Sequence, residues 1–271
     1  MSDTVNNEPV VLWEREGPIV VLTLNRPKTR NMISAELTDA LVEACARIGA
    51  DVSIKCAILT AAGHVFCAGG NLKAMHAREH HFSGNPAENR MYYDTGVQRL
   101  ARAFSALDVP VVSAVNGAAV GAGLDLVLLT DVRIAVESAV FAESFIRLGL
   151  VSAAGGSWLL QRHVGPAAAA ELTLTGDDFD AQRALQLGIV SQVLPADQLL
   201  PRAHDIAQRI ARHPAHAIRL NKRLLRESLT QSLEGTLTLA ASMQGLAQHT
   251  ADHREAVAAA VEKRTPNYTD K

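Results

Sequence analysis

Twice along this chain an apolar run ends in a cluster of glycines and passes directly into a candidate helix. The first junction is Phe66-Cys67-Ala68-Gly69-Gly70-Asn71-Leu72, and the second is Asn116-Gly117-Ala118-Ala119-Val120-Gly121-Ala122-Gly123-Leu124-Asp125. Small residues at a strand-to-helix junction let a ligand come close to the backbone. The free N–H groups of the helix start then face whatever negative charge lies there. Two such donors converging from different segments make an oxyanion hole. Neither cluster reads as a nucleotide site, because Gly-x-Gly-x-x-Gly and Gly-Lys-Ser/Thr are both missing. Taken singly, each serves a tight turn or close packing better than a ligand.

Around these junctions strand and helix patterns alternate. Residues 10–25 predict two strands joined at Gly17-Pro18, the second stopped by Pro27. Ser34 is the expected N-cap of a helix carrying Leu37, Leu41, Ala44, Cys45 and Ile48 at helical spacing. Further strands are expected over 54–61, 109–116 and 131–136, and further helices over 92–107, from about 121, and through Leu160. Residues 75–91 turn polar and His-rich, which predicts a mobile surface loop. From 197 to 264 the pattern is almost wholly helical, broken at His213-Pro214. The reading is an α/β core over residues 1–195 followed by a helical region over 196–271.

Composition excludes several classes. Lys plus Arg number 26 against 28 Asp plus Glu, so no basic excess points to nucleic acid. The three cysteines, Cys45, Cys56 and Cys67, are odd in number and lack metal-type spacing, which suits reduced thiols in the cytoplasm. Met1 to Glu8 is polar and acidic, so no signal peptide is expected. Pro110 to Thr130 is apolar, yet Asn116, Asp125 and three glycines make it a buried strand and helix better than a bilayer span. His76, His80 and His81 include an i, i+4 pair, but no flanking carboxylate completes a metal site. They and His64 read as surface histidines, and no metal is expected. Ser113 has no base placed beside it, and Trp158 is expected to pack its helix against the core.

Several motifs in fixed order go beyond these local readings. LNRPKTRN (24–31), FCAGGNL (66–72), PVVSAVNGAAVGAGLDL (110–126), LGLVSAAGG (148–156), LTGDDFDAQRALQLGIVSQVL (174–194) and REAVAAAVEKRTP (254–266) together resemble the crotonase, or enoyl-CoA hydratase/isomerase, family over nearly the whole chain. The resemblance implies a ClpP-like spiral of ββα repeats with a helical C-terminal trimerisation region. It implies an acyl-CoA substrate, no cofactor beyond the coenzyme A of that thioester, and a homotrimer or hexamer. The N–H groups of Gly70 and Ala122 would be the oxyanion donors. The backbone around Cys67 and Ala68 would hold the adenine ring, with Lys28 and Lys263 as partners for the CoA phosphates.

At two positions the chain departs from the family's hydratases, which place two glutamates around the substrate double bond. Asp125 stands at the first and Phe145 at the second. Losing one of two acid/base groups typically costs ~10²–10⁴-fold in rate. Glu143, two residues earlier, would share a face with Phe145 on a strand; otherwise it is a surface glutamate or ion-pair partner. Asp125 lies in an apolar run, where an unpaired carboxylate is costly. Its bland alternative is a helix-start carboxylate satisfied by N–H groups or by Arg133. Phe145 reads as a wall of the acyl pocket. One carboxylate can shuttle a proton along an enolate, so isomerisation is easier to build here than hydration. A non-catalytic acyl-CoA-binding homologue, or a C–C hydrolase or decarboxylase on the same fold, are the alternatives.

Overall fold

A hairpin opens the fold because Gly17 adopts φ +59° between two apolar strands. The computed structural model describes residues 8–270, with His80 and His81 described by backbone alone. In chain order the elements are β1 (Val11–Glu16), β2 (Ile19–Leu24), α1 (Ala35–Ala50), β3 (Cys56–Ala61), β4 (Val65–Cys67), α2 (Leu72–Ala77), α3 (Pro86–Thr95) and α4 (Gln98–Ala106). There follow β5 (Val111–Val115), β6 (Ala118–Val120), α5 (Ala122–Leu128), β7 (Val132–Val136), β8 (Val140–Ala142), a 3-10 turn (Ser144–Leu148), α6 (Gly156–Val164) and α7 (Pro166–Thr175). The chain ends with β9 (Phe179–Asp180), α8 (Ala181–Gln186), β10 (Gln192–Leu194), α9 (Ala196–Ala211), α10 (Ala215–Ser228), α11 (Leu233–Gln248) and α12 (Ala251–Glu262).

Two sheets result. The larger runs β1-β2-β3-β5-β7-β10, parallel except for the β1–β2 hairpin. Its central strands β3 and β5 are buried at every position, as parallel strands covered on both faces must be. The smaller sheet, β4-β6-β8-β9, is built from strands of two or three residues. The units β3-β4-α2 and β5-β6-α5 each carry one strand in either sheet before turning into a helix. β7 and β8 repeat the step into the 3-10 turn. The expected ββα spiral is therefore present.

The helices fill in around this core. Ser34 caps α1 by accepting from the Leu37 N–H at 3.1 Å. α9 covers the large sheet with Leu199, Ala203, Ile206, Ala207 and Ala211 buried. Beyond it few side chains are buried: Ala215, Met243, Asp252 and Ala259. Leu225, Leu229, Leu233, Leu237, Leu246, Val257 and Val261 stand exposed. No helix of the described residues is long and apolar enough to cross a membrane. The apolar run from Pro110 is instead β5, β6 and α5.

One expectation fails. Residues 75–91, expected as a mobile loop, are largely helical: α2 reaches Ala77, a 3-10 turn spans His80–Ser83, and α3 begins at Pro86. Asn85 accepts from the Ala87 and Glu88 N–H groups while Glu88 accepts from the Asn85 N–H, a complete capping box with Pro86 at the first helical position. The expected helix over 92–107 is correspondingly divided at Gly96, between α3 and α4.

Candidate active site

Pairing of β4 with β6 brings the two glycine junctions together. The strands run parallel, with Val65 opposite Ala118 and Cys67 opposite Ala119, so both chains leave the same end and turn into α2 and α5. A Cβ on Gly69, which adopts φ +81°, would stand 2.6 Å from Val120 O and 3.4 Å from Ala122 N. Only glycine permits that approach. Asn71 caps α2 by accepting from the Ala74 N–H at 3.1 Å. Just before it, the exposed Gly70 has no acceptor for its N–H among the described backbone. Ala122, first residue of α5, has no intrahelical acceptor for its own N–H. Among the described residues, two N–H groups without a backbone acceptor thus stand at neighbouring turns, those of Gly70 and Ala122.

The first loop is held from behind. Ala68 donates to Arg30 O at 3.0 Å, and Gly69 O accepts from Ile33 N at 2.8 Å. Asn31 anchors that bracing segment. It is fully buried at φ +52°, accepts from the Arg26 N–H at 2.8 Å, and donates to Ala62 O (3.0 Å) and Val65 O (2.8 Å). Sequence reasoning passed over Asn31; the second asparagine of the LNRPKTRN run, at its end, was the available signal. Cys67 is also fully buried, and burial pushes its thiol up to about 12, so it is inert at neutral pH.

Two carboxyl groups lie buried beside these donors. Asp125, on the first turn of α5, is 0% exposed, and burial drives its pKa well above the usual carboxylate range. Ser152 Oγ donates to its Oδ2 at 2.8 Å, which partly opposes that rise. The Gly156 and Ala154 N–H groups approach the same carboxylate and oppose it further, although Oδ1 lacks a hydrogen bond of full geometry. Arg133 does not reach Asp125; it donates to Ile189 O at 2.5 Å and Thr130 O at 2.6 Å.

Glu143 follows β8 and is 1% exposed, with no hydrogen-bond partner at either oxygen among the described residues. Burial first, and the adjacent Asp125 charge second, raise its pKa as well. It is therefore no surface glutamate. Nor does it hold its place by strand alternation, because it opens the 3-10 turn Ser144–Leu148. What buries it is the pairing of β8 with β6, where Ala142 O accepts from Gly121 N at 2.8 Å. The two carboxyls titrate as a pair, each made harder to ionise by burial and by the charge of the other. The Phe145 ring edge comes 3.7 Å from the position of a Cβ on Gly121, flanking the entry to α5.

The other residues picked out from the sequence lie in varied surroundings. Lys28 and Lys263 are exposed, the latter capping α12 at φ +57°. His64 and His76 are exposed; the His80 and His81 side chains lie outside the described residues. Among the described residues no group of His, Cys, Asp and Glu could hold a metal ion. Ser113 is buried in β5 and accepts from Thr130 Oγ1 at 2.9 Å. Trp158, expected inside, is 43% exposed and stacks under Arg162 at 3.7 Å, because its face of α6 points outward. An open groove of about 1540 Å³, bordered by Phe104, Trp158, Ile206, Lys222 and Leu225, contains neither buried carboxyl.

Comparison with known proteins places the chain in a family. The family described as Enoyl-CoA hydratase/isomerase matches residues 14–271. The 1,2-epoxyphenylacetyl-CoA isomerase of Escherichia coli K12 is 36% identical over 261 residues, covering 96% of this chain and 98% of its own. The 2,3-dehydroadipyl-CoA hydratase of the same organism is 36% identical over 258 residues, covering 95% and 98%. The solved enoyl-CoA hydratase of Bacillus anthracis superposes with a TM-score of 0.90 at 31% identity, covering 97% of this chain and 100% of that one.

Proposed function

The chain belongs to the enoyl-CoA hydratase/isomerase family, enzymes acting on acyl-CoA thioesters, and from that premise we propose an enolate mechanism centred on Asp125. The N–H groups of Gly70 and Ala122 receive the thioester oxygen. They stabilise the negative charge that develops there as the substrate loses a proton next to the carbonyl or one double bond further along. Asp125 takes that proton, and its raised pKa suits a base that must also return it. Returned to a different carbon, the proton leaves a shifted double bond and a regenerated Asp125 carboxylate. Glu143, held neutral, is the second proton donor.

The observation that carries this reading is a buried carboxyl pair at the turn that bears a free N–H donor. Glu143 also favours a second reading, hydration, in which one carboxyl draws a proton from water while the other protonates the α-carbon. Relatives bearing both isomerase and hydratase names are compatible with either. Incubation with crotonyl-CoA and a 3-enoyl-CoA in deuterated water, followed by mass spectrometry, separates them. A shifted or α-deuterated enoyl product without added water supports proton transfer alone. A 3-hydroxyacyl product supports hydration, and no exchange despite thioester binding contradicts both.

The CoA moiety is assigned to the backbone around Cys67 and Ala68 for adenine and to Lys28 and Lys263 for phosphates. Phe145 is assigned to the acyl-pocket wall. No cofactor beyond the substrate's own coenzyme A enters these steps. The exposed leucines and valines of α10–α12 favour a homotrimer or a hexamer, since so much apolar surface is seldom left in water. Sedimentation analysis tests that assembly. A cytoplasmic role in fatty acid metabolism completes the proposal.

A further inference from the structure

We propose that Ser152 is a positioning residue that decides which of the two buried carboxyls acts as the base. The inference rests on the proton-transfer reading above. Asp125 and Glu143 are sealed to the same degree, yet their partners are unequal. Ser152 Oγ donates to Asp125 Oδ2 at 2.8 Å, and the Ala154 and Gly156 N–H groups approach the same carboxylate. Glu143 has no partner at either oxygen among the described residues. A donor bonded to a carboxylate favours its charged form, whereas a second carboxylate nearby penalises charging both. The pair holds one proton between them, and Ser152 directs it to Glu143. Asp125 remains ionised as acceptor and Glu143 remains neutral as donor.

Among the described residues no other charged group performs this selection. α5 packs against β4, β6 and α6. β4 presents only the Cys67 thiol, kept neutral by burial, and β6 carries no titratable residue. On α6, Arg162 lies over Trp158, while His163 faces Arg133 at the far end of α5. Around β8, Asp180 caps α8, Arg183 pairs with Glu171, and Arg147 of the 3-10 turn pairs with Asp178. The Ser152 hydroxyl is the one side-chain donor on either carboxyl among the described residues.

The test compares Ser152→Ala and Ser152→Thr with the unaltered enzyme. The first readout is exchange of the α-protons of a 3-enoyl-CoA with deuterated water across roughly pH 5 to 9. The second is 13C NMR of carboxyl-labelled aspartate, with the Asp125 signal assigned through Asp125→Asn. Removing the hydroxyl is expected to move the acidic limb of kcat and the Asp125 titration upward by about one pH unit, with KM nearly unchanged. Threonine restores both. A moved Asp125 titration in an enzyme that exchanges no protons supports the role of Ser152 and removes the proton-transfer reading instead. An unmoved Asp125 titration in Ser152→Ala, or a loss of kcat equal at every pH, overturns the role of Ser152.

Discussion

Replacing Gly156 with alanine is the smallest change that presses on Asp125 without touching it chemically. A Cβ there would stand 1.9 Å from Asp125 Oδ1 and 2.7 Å from Ser152 Oγ. Ordinary carbon–oxygen contact begins near 3.4 Å, so the carboxylate must retreat by roughly 1.5 Å or the start of α6 must shift. Overpacking of this kind costs about 1–3 kcal/mol. Alanine recovers part of that, because Gly156 opens α6 and alanine is the better helix former by up to ~1 kcal/mol. Stability should therefore fall by no more than about 3 kcal/mol, below the usual total of a folded domain, so the protein stays folded. Catalysis fares worse, since displacing a reacting group by about 1 Å can cost ~10²-fold. Deuterium exchange into an acyl-CoA, measured as kcat/KM beside a urea unfolding curve, separates the two effects. Exchange within about threefold of the unaltered enzyme would refute the placement of Asp125 as the proton-moving group.

Two further perturbations probe the burial that shapes the site. Asp125 and Glu143 both have pKa values raised in the folded state, so their contribution to stability is intact below the ordinary carboxylate pKa, near 4. It is lost as pH rises through the raised values. Thermal midpoints should fall from mildly acidic to mildly alkaline pH, and Glu143→Gln should flatten that slope; an unchanged slope would contradict its buried, proton-holding state. Asn31→Ala removes three hydrogen bonds and leaves alanine at positive φ, which should cost about 3 kcal/mol in urea unfolding. A loss below about 1 kcal/mol would mean that the loop behind Gly69 is braced by other contacts.

The long strands were legible because parallel strands covered on both faces read as near-continuous apolar runs, as β2, β3 and β5 do with one hydroxyl residue each. The short strands were not. Three residues such as Ala118–Val120 carry no period, and only tertiary pairing makes them strands. Composition misled at 75–91, where polar residues concealed helices; the Asn85-Pro86-Ala87-Glu88 capping box was the signal that outranked it. For the site, the glycine junctions were visible as possible donors, but their convergence depends on the β4–β6 register. Glu143 was picked out by strand alternation and is buried for another reason, the β6–β8 pairing beside Asp125. Ser152 went unremarked because a hydroxyl reaching back from residue 152 to 125 leaves no trace in local sequence.

The most direct test of the account is Asp125→Asn, assayed for exchange of substrate α-protons with deuterated water alongside its affinity for the same acyl-CoA. The amide keeps the shape of the side chain, and the Gly70 and Ala122 donors belong to the backbone, so binding should hold within a few-fold. Exchange should fall by at least ~10²-fold. Exchange at the unaltered rate with binding intact would contradict the central claim that Asp125 moves the proton.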